Sequence, residues 1–98
     1  MDEIYRLNGI TFVWNRDKAL GNPRKHDGVR FEQAVEVFFD PFLRVVDASR
    51  GAEVRDAVIG MDRRWSLLFV VHIHLEDDRI RIISARRATR AERALYED

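Results

Sequence analysis

The apolar and polar positions of this chain change their period several times, and each change marks an element. The longest apolar run, Trp65 to Leu75, is apolar on both faces as far as Val71. That is the pattern of a central strand covered on both sides. An acidic stretch, Glu76-Asp77-Asp78, follows as a turn. Arg79 to Ser84 then alternates, with Ile80 and Ile82 to one side and Arg79 and Arg81 to the other. The two runs are expected to pair as an antiparallel hairpin turning at Glu76–Asp78. Upstream, Ile10 to Trp14 is rich in β-branched and aromatic residues and reads as a strand. Phe42 to Val46 and Val54 to Ile59 read as two more, the second closed by Gly60. Met61 to Arg64 forms a polar connection, from which Trp65 opens the long strand. Residues 1–9 read as a frayed lead-in ending in the turn pair Asn8-Gly9.

Helical periods fall at both ends of the chain. Asn15 is placed to cap a helix, with Asp17 in the first turn where the helix dipole favours an acid. Pro23 is expected to interrupt that helix, so the chain is read as restarting with Asn22 as a second N-cap and Pro23 in the first helical position. Phe31, Ala34, Val35 and Phe38 fall on one stripe of a helix over Phe31–Phe39, which Asp40-Pro41 ends. Thr89 and Glu92 form a T-x-x-E capping box opening a last helix over Arg90–Tyr96.

This order predicts one α+β domain over residues 1–98. Its four consecutive C-terminal strands form a four-stranded antiparallel sheet, on which the N-terminal helices and the C-terminal helix pack.

Composition narrows the class. The chain has no cysteine, which excludes disulfides and thiolate metal sites. No run of about 18 apolar residues suggests a membrane span, and the acidic N-terminus lacks the apolar core of a secretory signal. A cytoplasmic protein is expected. The 17 basic and 17 acidic residues cancel, yet residues 79–98 hold six Arg against three acids. A local basic patch on a neutral body is what a phosphate contact needs.

Three groups of residues have chemical potential. The arginines of the last segment offer planar donor forks suited to phosphate, although such a run also serves simply as a solvated face paired with Glu76, Asp77, Asp78 and Glu92. Arg24-Lys25-His26 sets two cations beside an imidazole near a helix end. His72 and His74, two apart on a strand, share one face at a spacing that suits a metal, with Glu76 as the nearest third donor. Phosphate-cradling glycine loops and serine nucleophile elbows are both missing from the sequence.

Two blocks of sequence are more specific. The first is Phe12-Val13-Trp14-Asn15, Lys18-Ala19, Asn22-x-x-Lys25-His26, Gly28-Val29-x-Phe31-Glu32-x-Ala34, Val37-Phe38 and Asp40. The second is Arg81-Ile82-Ile83-Ser84-Ala85-Arg86-Arg87-Ala88, followed by Glu92 and Tyr96. In order and spacing they resemble the BrnT toxin family over about residues 11–97. Two departures stand out: Asp27 intervenes where that family usually runs Lys-His-Gly, and Pro23 is unusual in its helix. The resemblance implies a RelE-like fold and a small ribonuclease, the toxin of a type II toxin–antitoxin pair, neutralised by a BrnA-like antitoxin and open to a higher-order complex with it. It implies cleavage without a metal or other cofactor. Lys25, His26, Arg55 and Arg86 are then the candidate catalytic residues, with Glu32 as a weaker base. Lys18, Arg81, Ser84 and Arg87 are the candidate RNA contacts. Two alternatives stay open: an inactive module that only binds the antitoxin, and a metal-dependent enzyme using His72 and His74.

Overall fold

A computed structural model describes all of residues 1–98. The chain is α+β. Its six strands are β1 (Asp2–Leu7), β2 (Ile10–Asn15), β3 (Arg44–Asp47), β4 (Asp56–Met61), β5 (Leu67–His74) and β6 (Arg79–Arg87). The helices are α1 (Arg16–Lys25), α2 (Phe31–Ala34) and α3 (Arg90–Glu97), and a 3-10 segment over Val35–Phe39 extends α2. One sheet runs β1-β2-β6-β5-β4-β3. The expected hairpin of β5 and β6 forms, turning through Glu76–Asp78.

The four consecutive strands β3 to β6 pair antiparallel as expected, but the expectation of a four-stranded sheet is corrected in two ways. The sheet has six strands, and it is mixed, because β2 lies parallel to β6. The lead-in is a strand for a reason visible in Asn8 and Gly9. Both have positive φ, 50° and 82°. Two such residues make the tight hairpin turn that suits the twist of paired strands, so Asp2–Leu7 folds back on β2. Tyr5 then stacks on Trp14, and the Trp14 indole donates to Glu3.

Other boundaries move. α1 is continuous through Pro23. The proline falls in the last turn, where its missing donor removes one bond, and Asn22 is buried inside the helix rather than capping a new one. The stripe expected over Phe31–Phe39 switches from α to 3-10 after one turn, which brings Val37 into the core. Gly60 lies within β4 against that segment. A Cβ there would stand 3.0 Å from both the Val37 Cβ and its carbonyl oxygen. Phe42 and Val54 stay outside β3 and β4, and Trp65 stays outside β5: it sits in the β4–β5 turn at φ 64°, 82% exposed. That turn is organised by buried Asp62, which accepts from the Arg64 and Ser66 amides and from Gln33.

The main core packs α2 and the 3-10 segment on one face of the sheet. Phe12, Trp14, Phe31, Val35, Val37, Leu68, Val70 and Ile82 form its bulk. α3 lies against β4. No helix is long and apolar enough to cross a membrane.

Candidate functional site

The site is built around the second half of β6. Register shows why that half differs from the first. His72 pairs with Ile82, and Val71 pairs with Ser84, so Ile83 is an extra residue without a partner. Such a bulge shifts the alternation by one. Ile80 and Ile82 face the core before it, and Ala85 does so after it. Ser84 and Arg86 thereby join Arg81 on the opposite face. Arg87 pairs with core-facing Leu68 and projects into solvent at the sheet end.

β2 pairs with β6 only as far as Arg81. Beyond that point the edge of β6 is taken up by Asn22 of α1. Its carboxamide nitrogen donates to the carbonyls of Ala85 (2.7 Å) and Val29 (2.8 Å), and its oxygen accepts from the Ala85 amide (3.3 Å). The side chain, 4% exposed, acts as a peptide unit where the neighbouring strand has ended. This sets the C-terminal turn of α1 beside β6. Lys18, Lys25, His26 and Ser84 line one shallow depression of about 330 Å³, with Asp17, Gly21 and Asn22. Sequence reading gave Asn22 a capping role and missed this anchor, whose signal was a carboxamide one residue before a proline inside a helix.

Arg86 stands two residues along β6 from Ser84. Its guanidinium makes a two-pronged pair with Glu92 of α3, at 2.7 and 2.8 Å, and lies 4.3 Å from the centre of the Phe69 ring. The paired hydrogen bonds hold Glu92 below its usual carboxylate range and raise Arg86. Glu92 meanwhile closes the expected capping box with Thr89. Arg81 is held in the same way by Asp2, at 2.7 and 3.3 Å, which lowers Asp2 and raises Arg81. Of the acids expected to pair with the arginine run, only Glu92 does so.

Arg55 is not brought to this cluster. It precedes β4 and pairs with Glu53, level with the end of β5 that Asp56 reaches at His72. Arg86 pairs with Phe69, three residues away along β5, or about 10 Å. The two histidines share a face as expected, with ring centres 5.7 Å apart. His72 is buried. It is 3% exposed and packs edge-on against Phe38. Burial pushes its imidazole down towards the neutral form. No group of three His, Asp or Glu side chains is placed to hold a metal ion there or elsewhere.

The far end of α3 is fixed by Tyr96, whose hydroxyl donates to Asp40 at 2.6 Å. Burial and that carboxylate push the phenol up to about 12. Burial works to raise Asp40, and the donors Met61 N, Tyr96 and Phe42 N outweigh it and hold the carboxyl below its usual range.

A family model described as the ribonuclease toxin, BrnT, of type II toxin–antitoxin systems matches residues 14–92. No curated protein matches the chain. The matched span runs from Trp14 through Glu92, and so takes in α1, the bulged strand and the Arg86–Glu92 pair.

Proposed function

The chain belongs to the BrnT family of ribonuclease toxins of type II toxin–antitoxin systems, and from that premise we propose that it cleaves RNA through the face of β6 bordered by α1 and α3. The observation that carries this reading is the meeting of Lys18, Lys25, His26 and Ser84 around one depression, two residues along the strand from Arg86. We read the arrangement as RelE-like and the substrate as cytoplasmic RNA, whose loss stops translation and growth.

The reaction needs no metal in this reading. The ribose 2′-oxygen attacks the adjacent phosphorus, the bond to the 5′-oxygen breaks, and a 2′,3′-cyclic phosphate and a 5′-hydroxyl remain. A base must take the 2′-hydroxyl proton and an acid must give one to the leaving oxygen. His26, with Lys25 beside it, is assigned to these transfers. Charge growing on the phosphoryl oxygens is offset by Arg86, whose fork already grips a carboxylate of similar shape. Lys18, Ser84, Arg81 and Arg87 hold the strand on either side. Arg55, away from this cluster, is assigned to a more distant phosphate.

The partner is a BrnA-like antitoxin, read as laying an acidic or amphipathic element across Arg81, Arg86 and Arg87. One observation favours the alternative of an inactive antitoxin-binding module: Arg81 and Arg86 are both engaged by the protein's own carboxylates. A direct assay decides between them. Purified protein is incubated with RNA in the presence of a chelator, and the new ends are mapped. Cyclic phosphate ends that disappear on adding the antitoxin support the toxin. Intact RNA with tight antitoxin binding overturns it in favour of the module, and cleavage abolished by the chelator overturns the metal-free route.

A further inference from the structure

The sheet has two open edges, β1 and β3. The hydrogen-bond phase of β1 follows from its two-residue turn. Leu7 and Ile10 flank that turn and form the closing hydrogen-bonded pair. Glu3, Tyr5 and Leu7 therefore turn their N–H and C=O groups towards β2, while Asp2, Ile4 and Arg6 turn theirs outward. The side chains of these three residues also share one face, the one on which Asp2 reaches Arg81. Ile4 is 58% exposed, and Arg6 is exposed and joins no ion pair.

Read along the edge, the outward residues are an acid, an apolar residue and a base. An antiparallel strand with the same three residues sets Asp2 against Arg6, Ile4 against Ile4, and Arg6 against Asp2. A two-fold axis normal to the sheet keeps each face on its own side, so only residues of equal parity stand opposite one another, and this register meets that condition. We propose that β1 pairs edge to edge with β1 of a second copy of the chain, centred on Ile4. Every outward backbone group of the strand is satisfied, in about six N–H···O=C bonds. Charged edge strands usually resist such pairing; here the order of the charges makes the edge its own complement. The edge of β3 has no such register. Centred on Val45, it sets Arg44 against Val46 and Asp47 against Leu43; centred on Val46, it sets Val45 against Asp47 and Arg44 against Ala48. The β1 dimer sets the Arg81 faces of both copies on the same side of one continuous sheet. This inference is independent of RNA cleavage.

An edge-to-edge strand contact is at the small end of specific interfaces, so dissociation in roughly the micromolar range is expected. Sedimentation velocity across that concentration range tests it. The wild-type chain should pass from monomer to dimer as concentration rises. Ile4→Pro removes an outward donor that β2 does not use, a change tolerated at a sheet edge. It should be monomeric throughout, while keeping the near-ultraviolet signal of the Tyr5–Trp14 stack. Arg6→Asp and Asp2→Arg each set like charges opposite one another and should each be monomeric. Their equimolar mixture sets opposite charges at both ends and should recover the dimer. A wild-type chain that stays monomeric, a dimer that survives Ile4→Pro, or a mixture that stays monomeric overturns the proposal.

Discussion

Helices α1 and α3 both attend the second half of β6, and they are tied to the rest of the molecule by opposite means. α1 is held by one buried carboxamide with three hydrogen bonds to backbone. α3 buries no residue completely; its polar ties are an ion pair at its first turn and a hydroxyl at its last. A buried amide cannot exchange its partners for water, and a partly exposed ion pair can. The side of the site that carries Lys25 and His26 is therefore a fixed wall. The side that carries Glu92 can yield to a competing anion, and RNA phosphate is such an anion.

The comparison breaks most severely at Asn22. Asn22→Ala leaves the Ala85 and Val29 carbonyls and the Ala85 amide without their partner. It should cost about 3 kcal/mol of stability, lowering the melting midpoint on the order of 15 °C for a domain of this size. Calorimetry checks it, and a midpoint within a few degrees of wild type would remove Asn22 as the anchor. On the α3 side, Arg86→Ala should keep the fold and slow RNA cleavage roughly a hundredfold, equivalent to about 3 kcal/mol of transition-state stabilisation. Arg86→Lys should not restore the rate, since a point charge does not reproduce the fork. Single-turnover cleavage is the measurement, and an unchanged rate for the alanine variant takes Arg86 out of the site.

Glu92→Gln sharpens the contrast. Glutamine can keep the capping box but not the ion pair, so the loss should be about 1 kcal/mol after discounting for solvent. The folded pKa of Glu92 is depressed. Its contribution is thus present in full above the unfolded value of about 4.3 and is lost as pH falls through the lower folded value. Urea midpoints of the two proteins should differ at neutral pH and converge in acid; a constant gap would mean that the ion pair is not its source. The smallest effect is expected from Tyr96→Phe, under about 1 kcal/mol, with increased hydrogen exchange confined to the last turn of α3. Exchange that rises equally in α1 would show that the two helices are not held independently.

Local chemistry made much of this legible in the sequence. Thr89 and Glu92 marked a helix start because both partners lie within one turn. The hairpin of β5 and β6 was legible from apolar runs on either side of an acidic turn. Asn8-Gly9 carried a hairpin signal as strong as any, but the charged residues before it masked a strand that is half solvated. What stayed hidden depends on distant partners. Arg81 could be recognised as a candidate phosphate ligand, yet its partner Asp2 stands 79 positions away in the sequence. Asn22 has the composition of a cap, and only the early end of β2 gives it another task. The bulge at Ile83 leaves no mark on the alternation of Arg79–Ile82, although it decides which face Arg86 takes.

The parallel pairing of β2 with β6 also governs when the molecule can exist. The β1–β2 hairpin is complete at Asn15, but the strand that must lie beside it begins only at Arg79. A contact so distant in sequence closes late and slowly, and synthesis at about 5–20 residues per second adds seconds of waiting. Lys25 and His26 have no Ser84 or Arg86 beside them during that interval. On the proposed reading, a nascent chain that still lacks β6 lacks the strand on which its site is built and cannot yet cleave RNA.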